Sequence, residues 1–274
     1  MNRNRPNTIS YLLARSLYLL PVFLINTNLA LACRKTASEV NKPCDKSSYN
    51  EIHKDISNNP SFDKSSYSIF NKTPKNLMRD FATDRPDKTE SAYTLDAGHI
   101  MHETDIINYT YNQDDGVRTD SFFIFAPNFK IGLTNNTDIQ FVYQPYIYEK
   151  EKVITSKRSH TKDGSGDLVI RLKTSLWGND NGDTAMAIMP YVKAPIGKRE
   201  LGNDSVEGGL IAPLAISITE NTGIGLMTQV DFLRNDTDTD YYAQFVNTAT
   251  VSTSLIGELS GSVSYTHLTL PTKA

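Results

Sequence analysis

Between residues 166 and 218 apolar and polar side chains alternate with a period of two, over three successive segments of about ten residues each. In Asp167–Trp177, Leu168, Ile170, Leu172, Thr174 and Leu176 share one face, while Asp167, Arg171, Lys173 and Ser175 share the other. In Thr184–Ile196, Met186, Ile188, Val192 and Ile196 oppose Tyr191 and Lys193. In Val206–Ile218, Val206, Leu210, Leu214, Ile216 and Ile218 oppose small residues such as Gly209, Ala215 and Ser217. A period of two marks strands with one apolar face.

The pattern continues on both sides. Gly98–Tyr111 puts Met101, Ile107, Tyr109 and Tyr111 on one side with Glu103 and Asp105. Ser121–Leu133 sets Phe123, Phe125, Pro127, Phe129, Ile131 and Leu133 against Asn128 and Lys130. Ile139–Tyr148 sets Ile139, Phe141, Tyr143 and Ile147 against Gln140 and Gln144. Ile224–Phe232 carries Gln229 and Asp231 opposite its apolar face, and Tyr241–Val251 carries Gln244, Thr248 and Thr250. A ninth strand is expected from Glu258.

The connections alternate in length. Asn135–Asp138, Gly178–Asp183 and Glu220–Gly223 read as tight polar turns. Asn112–Thr119, Glu149–Ser165, Gly197–Ser205 and Asn235–Asp240 read as longer, charged links. Short turns on one side and long loops on the other are the plan of an outer-membrane barrel. The expected fold is therefore all-β: a transmembrane antiparallel up-and-down β-barrel of about nine strands, incomplete at its C-terminus. Its lumen would be lined by Glu103, Lys130, Arg171, Lys173, Lys193, Gln229 and Asp231. The alternative is a secreted periplasmic β-sandwich or lipocalin-like binding protein, whose apolar face would pack into a core.

The ends of the chain bear on location. Arg3, Arg5 and Arg15 precede an apolar run, Leu17–Ala32, that closes on Ala30-Leu31-Ala32, the pattern of a secretory signal peptide cleaved between Ala32 and Cys33. Cys33 is then either the lipid-bearing first residue or the partner of Cys44 in a disulfide, the only other cysteine. Residues 33–80 are polar and without sustained periodicity, a periplasmic lead-in. A formal net charge of −3 gives no basic footprint for nucleic acid. The mean hydropathy of −0.39 does not argue against a membrane barrel, which exposes only alternate residues to lipid. The implied partners are outer-membrane lipid, lipopolysaccharide and a small-molecule solute.

Candidate chemistry is sparse. Asp84, Arg85, Asp87 and Glu90 crowd one segment without a neighbouring nucleophile, and Pro86 makes it a turn or extended stretch. Charge pairing that fixes how the chain enters the fold is the expected role. His99 and His102, three apart on a strand, point to opposite faces and cannot share a metal. Asn179–Asp183 and Asp236–Asp240 lack the spacing of a calcium loop. The motifs of hydrolases and nucleotide-binding enzymes are missing, so no catalytic residue, cofactor or metal is expected.

Four motifs carry a family resemblance: Thr83–Ser91 (TDRPDKTES), Gly132–Asp138 (GLTNNTD), Gly164–Leu168 (GSGDL) and Leu201–Leu210 (LGNDSVEGGL). With their order they resemble the MetA-type family of the meta-pathway of phenol degradation, over residues 81–261. The resemblance implies a Gram-negative outer-membrane β-barrel that passes small molecules, often hydrophobic or aromatic. The barrel would occupy residues 81–262. Residues 263–274 depart from the family and resemble a translated sequencing-adapter end, so the natural chain is expected to be represented only to Ser262.

Overall fold

The computed structural model describes residues 63–269, except 86–87, 115, 157, 181, 199–200, 203, 236–239 and 257–258. Apart from one turn of 3-10 helix at Lys75–Leu77, the regular structure there is β. Eleven segments form one antiparallel sheet: β1 (Ile100–Asp114), β2 (Val117–Thr134), β3 (Thr137–Tyr143), β4 (Tyr146–Val153), β5 (Ser159–Gly164), β6 (Leu168–Trp177), β7 (Thr184–Ala194), β8 (Glu207–Thr219), β9 (Thr222–Arg234), β10 (Tyr241–Ile256) and β11 (Leu259–Thr269). Among the described residues the strands form one sheet rather than a two-sheet sandwich.

The eleven segments trace nine strands. From the Asn128–Val142 pair to the Ile124–Tyr146 pair is four residues on each chain, so β3 and β4 are one strand along β2, broken at Gln144 and Pro145. The Tyr143–Leu168 and Ile147–Gly164 pairs show the same of β5 and β6, broken at residues 165–167. Each strand then neighbours the next in sequence, an up-and-down meander. The expected strand from Ile139 to Tyr148 is thus one path with a break in it.

That break continues across β1 and β2 and overturns part of the expected facing. The ladder skips Ile106 and Phe125, which are both exposed, and Phe125 has a φ of +49°. The inside–outside alternation shifts by one there. On β1, Ile107, Tyr109 and Tyr111 are exposed, whereas Glu103, on the near side of the break, is buried. On β2, Phe122 and Ile124 are the exposed pair, and Phe123 lies opposite buried Ile147. Two long links also shrink. Asn112–Thr119 is largely the end of the β1–β2 hairpin, and Glu149–Ser165 is largely the β4–β5 hairpin.

On β6 to β10 the faces follow the sequence pattern, with an unusual sense. The apolar face is the exposed one: Ile170, Leu172, Leu176, Val192, Leu210, Leu226, Phe232, Phe245 and Val251 all project outward. Lys130, Gln140, Lys173, Glu207 and Asp231 are buried on the other face. A small apolar patch, Met189, Ile211 and Met227 with Tyr191 against it, is the only buried hydrophobic cluster of the sheet interior among the described residues. Exposed aromatics stand near both strand ends, Trp177 at the tight-turn end and Tyr241 at the loop end, where Arg234 lies 4.7 Å over the Tyr241 ring.

Residues 79–85 and 88–97, ahead of β1, cover the polar face as a strap. Thr89 bonds to Thr248 and Thr250 on β10, and the adjacent Glu90 bonds to Arg171 on β6. In a flat sheet, strands four places apart stand about 19 Å from each other, whereas neighbouring Cα atoms are only about 3.8 Å apart. The sheet therefore curls around the strap.

Candidate functional site

The site is the buried polar face together with the strap. Antiparallel pairing lines up Lys130 on β2, Gln140 on β3 and Arg171 on β6 as direct cross-strand neighbours. One pair further along, Asp138 faces Lys173. Lys173 lies two residues from Arg171 on the same face of β6. Three cations from two strands thus converge where the polar face is deepest. Lys173 is fully buried, and a buried ammonium needs a carboxylate to offset its lost hydration.

The strap supplies that carboxylate. Asp84 accepts a hydrogen bond from Lys173 Nζ at 3.0 Å and lies 2.5 Å from Lys130 Nζ. Lys130 also pairs with Glu103 from β1, whose other oxygen accepts the Asp84 backbone N–H at 3.1 Å. Arg85 pairs with Asp105 on β1. After the bend, Ser91 N–H returns to Asp84 Oδ1 at 2.8 Å, and Arg171 Nη1 donates to Glu90 Oε1 at 2.7 Å. Burial pushes the Asp84 carboxyl up, but the ammoniums of Lys173 and Lys130 outweigh it and hold Asp84 well below the usual carboxylate range. Burial also pushes Glu90 up. Arg171 offsets this only in part, and the charge of Asp84 adds to the rise, so Glu90 sits above its usual range.

Both ends of the strap are tied to the tight-turn end of the sheet. Arg79 bridges Asp96 at 3.2 Å and Asp180 at 3.0 Å, and donates to the Asn135 carbonyl at 2.8 Å. Asn179 accepts from Thr94 N–H and donates to the Asn135 carbonyl, while Leu95 N–H donates to Asp138. The backbone then runs tight against β2. A Cβ on Gly132 would stand 2.0 Å from the Asp96 carbonyl oxygen, so only glycine admits this approach. Upstream, Ile69 N–H donates to the Leu133 carbonyl, which fixes the end of the lead-in to the same strand.

The remaining residues expected in the site lie apart from the Asp84 cluster. Lys193 pairs with buried Glu207 at 2.5 Å. Asp231 accepts from Tyr191 Oη at 2.5 Å and from Gln229 Nε2 at 2.6 Å. Asp87 falls outside the described residues, as do Ala32 and Cys33. His102 stacks on Phe129, with ring centroids 4.5 Å apart, while His99 is bonded to the Thr73 carbonyl. Asp138, Asn179, Tyr191, Glu207 and Thr89 escaped attention as site residues. Inward strand parity could have pointed to Asp138, Tyr191 and Glu207. Thr89, Asp138 and Glu207 lie within the motifs of the family resemblance, whereas Asn179 reads locally only as part of a turn.

An antiparallel meander with an apolar outside and an ion-paired inside defines an inside-out β-protein. A family model described as "Putative MetA-pathway of phenol degradation" matches residues 83–269, from the strap through β11. The chain belongs to that family, as the four motifs implied. No curated protein matches it.

Proposed function

We propose that the protein is an outer-membrane β-barrel channel or transporter through which small molecules pass, hydrophobic or aromatic compounds among them. The observation that carries this is the inverted distribution of side chains: aliphatic and aromatic groups outward, charged groups paired within. In water such an outer surface would be an aggregation liability, whereas in a bilayer it is the lipid-facing band. Strands of 10 to 18 residues in β2 and β6 to β10 meet the roughly 9–11 residues needed to span the hydrocarbon core. The hairpins beyond the break in β1 to β5, rich in Lys and Glu, would stand clear of the membrane at the loop end. The tight turns would face the periplasm, reached by export through the N-terminal leader. The family's description names a pathway of phenol degradation, which supports aromatic compounds as the cargo. The reading assigns passage rather than catalysis, with no cofactor and with lipid and lipopolysaccharide as surroundings.

Fractionation of cells expressing the chain tests it, together with migration on gels before and after boiling. Recovery with the outer membrane and a heat-dependent band shift are expected; recovery in the soluble periplasmic fraction would sink the reading.

A further inference from the structure

We propose that the outward face of the β1–β2 and β4–β5 hairpins binds the phosphates of outer-leaflet lipopolysaccharide, with Lys150 and Lys152 as its anchors. This rests on the passage reading above and gives the surrounding lipid a defined contact on the barrel.

Beyond the break, antiparallel register stacks the outward side chains in rows. Ile107, Ile124 and Tyr146, all exposed, form the first row. Tyr109, Phe122 and Tyr148 form the second, with successive ring centroids 4.7 and 6.1 Å apart. The third holds Tyr111, Asp120 and Lys150, and the fourth Gln113, Arg118 and Lys152. Aliphatic, aromatic and then basic side chains thus succeed one another toward the loop end. That is the order met on leaving hydrocarbon through the interface for the headgroups. The depth agrees. Leu133 to Phe122 is eleven positions along β2, roughly 37 Å of strand and about 29 Å along the membrane normal at a tilt of about 40°. The hydrocarbon core is about 30 Å thick. The foot of the hairpins therefore meets the outer leaflet, and their ends stand clear of it.

The charges are sorted to match. In Glu149-Lys150-Glu151-Lys152 the pleat turns both acids inward, where Lys162 pairs with them, and both lysines outward. A hairpin wholly in water has no reason to sort its charges by face. Elsewhere on the outward face the charges offset one another locally. Arg118 donates to Asp120 through Nε and Nη2, and Lys198 lies against Asp163, bonding its carbonyl oxygen. Lys150 and Lys152 are exposed, and neither forms an ion pair with a described residue. Two ammoniums beside an aromatic row suit phosphates held just above the acyl chains.

The test titrates the folded full chain in detergent micelles with lipid A carrying both phosphates, and counts bound copies by native mass spectrometry. Lys150→Gln with Lys152→Gln is expected to weaken binding about thirtyfold, the scale of two cations at an anionic membrane surface. Lys72 and Lys75 are exposed at the tight-turn end. Lys72→Gln with Lys75→Gln removes the same charge there and is expected to leave binding unchanged. Lipid A stripped of its phosphates should bind the unaltered chain as weakly as the phosphorylated form binds the Lys150 and Lys152 double variant. Equal binding of the two lipids, or equal loss in both double variants, overturns the proposal. Conductance of the same protein in planar bilayers separates the two claims. A conducting protein with no preference for phosphorylated lipid A sinks the lipid site and leaves the passage reading standing. A preference that Lys150 and Lys152 carry, in a protein that never conducts, does the reverse.

Discussion

Lys173, fully buried on β6, donates to Asp84 at 3.0 Å across 89 positions of sequence. The pair joins the strap to the strand that carries two of the site's three cations, Arg171 and Lys173. Lys130 completes it from β2, so one carboxylate contacts two ammoniums, with Glu103 sharing Lys130.

Removing that carboxylate leaves two buried cations short of a partner. Asp84→Asn is expected to cost about 3 kcal/mol, the scale for breaking a buried pair from one side. Urea unfolding of the vesicle-folded protein measures it. A cost near zero would mean that the strap does not dock on the polar face.

The two strap carboxylates respond to pH in opposite senses. Asp84 is held below its ordinary 3.8, so its contribution is present above 3.8 and fades as pH falls further. Glu90 is raised above its ordinary 4.5, so its contribution is full below 4.5 and is lost as pH rises through the raised value. Stability is therefore expected to be greatest in mildly acidic solution. Glu90→Gln should remove the decline on the alkaline side, and Asp84→Asn the decline on the acid side. Midpoints of thermal unfolding across the pH range check both.

Gly132→Ala puts a Cβ 2.0 Å from a backbone oxygen of the strap. Neither backbone has a flexible end to give way, so overpacking of about 2 kcal/mol is expected. Loosening should concentrate at Leu95–Asp96 and appear as faster amide exchange there, with the strands β8 to β10 unaffected.

The outward face can be tested without touching the site. Leu172 is exposed at mid-strand on β6. Leu172→Arg should cost about 2–4 kcal/mol in a bilayer, as a charge at the midplane does. On a water-facing surface the same change would be nearly neutral. Folding yield into vesicles distinguishes the two.

Arg171→Glu is expected to do more than alter charge selectivity. It sets a carboxylate against Glu90 where a guanidinium stood, which repels the strap and leaves a more acidic interior. Planar-bilayer recordings should show larger conductance and a shift toward cations. An unchanged reversal potential in a conducting protein would remove Arg171 from the path.

The sequence alone determined most of the strands, though it hid the β4–β5 hairpin inside a charged link, and from β6 to β10 it determined their faces. A pleated backbone sends successive side chains to opposite sides, so a period of two is set locally and can be read locally. Arg171, Lys173, Lys193, Gln229 and Asp231 were legible for that reason, as was the family, carried by short contiguous motifs. The fold's inside-out sense was legible only as a choice between a membrane barrel and a sandwich or lipocalin-like fold. One-sheet topology, decided by long-range pairing, removed the sandwich, and the outward apolar face speaks against a lipocalin-like core. The shift of facing at Ile106 and Phe125 stayed hidden, because a skipped pair leaves the residue types unchanged. The partners of Asp84, Arg85 and Glu90 stayed hidden too. Their crowding was visible, but nothing near residue 84 announces Lys130 or Lys173. Those contacts exist only once the sheet has curled and brought distant strands around one short segment, where burial makes each charge dependent on another.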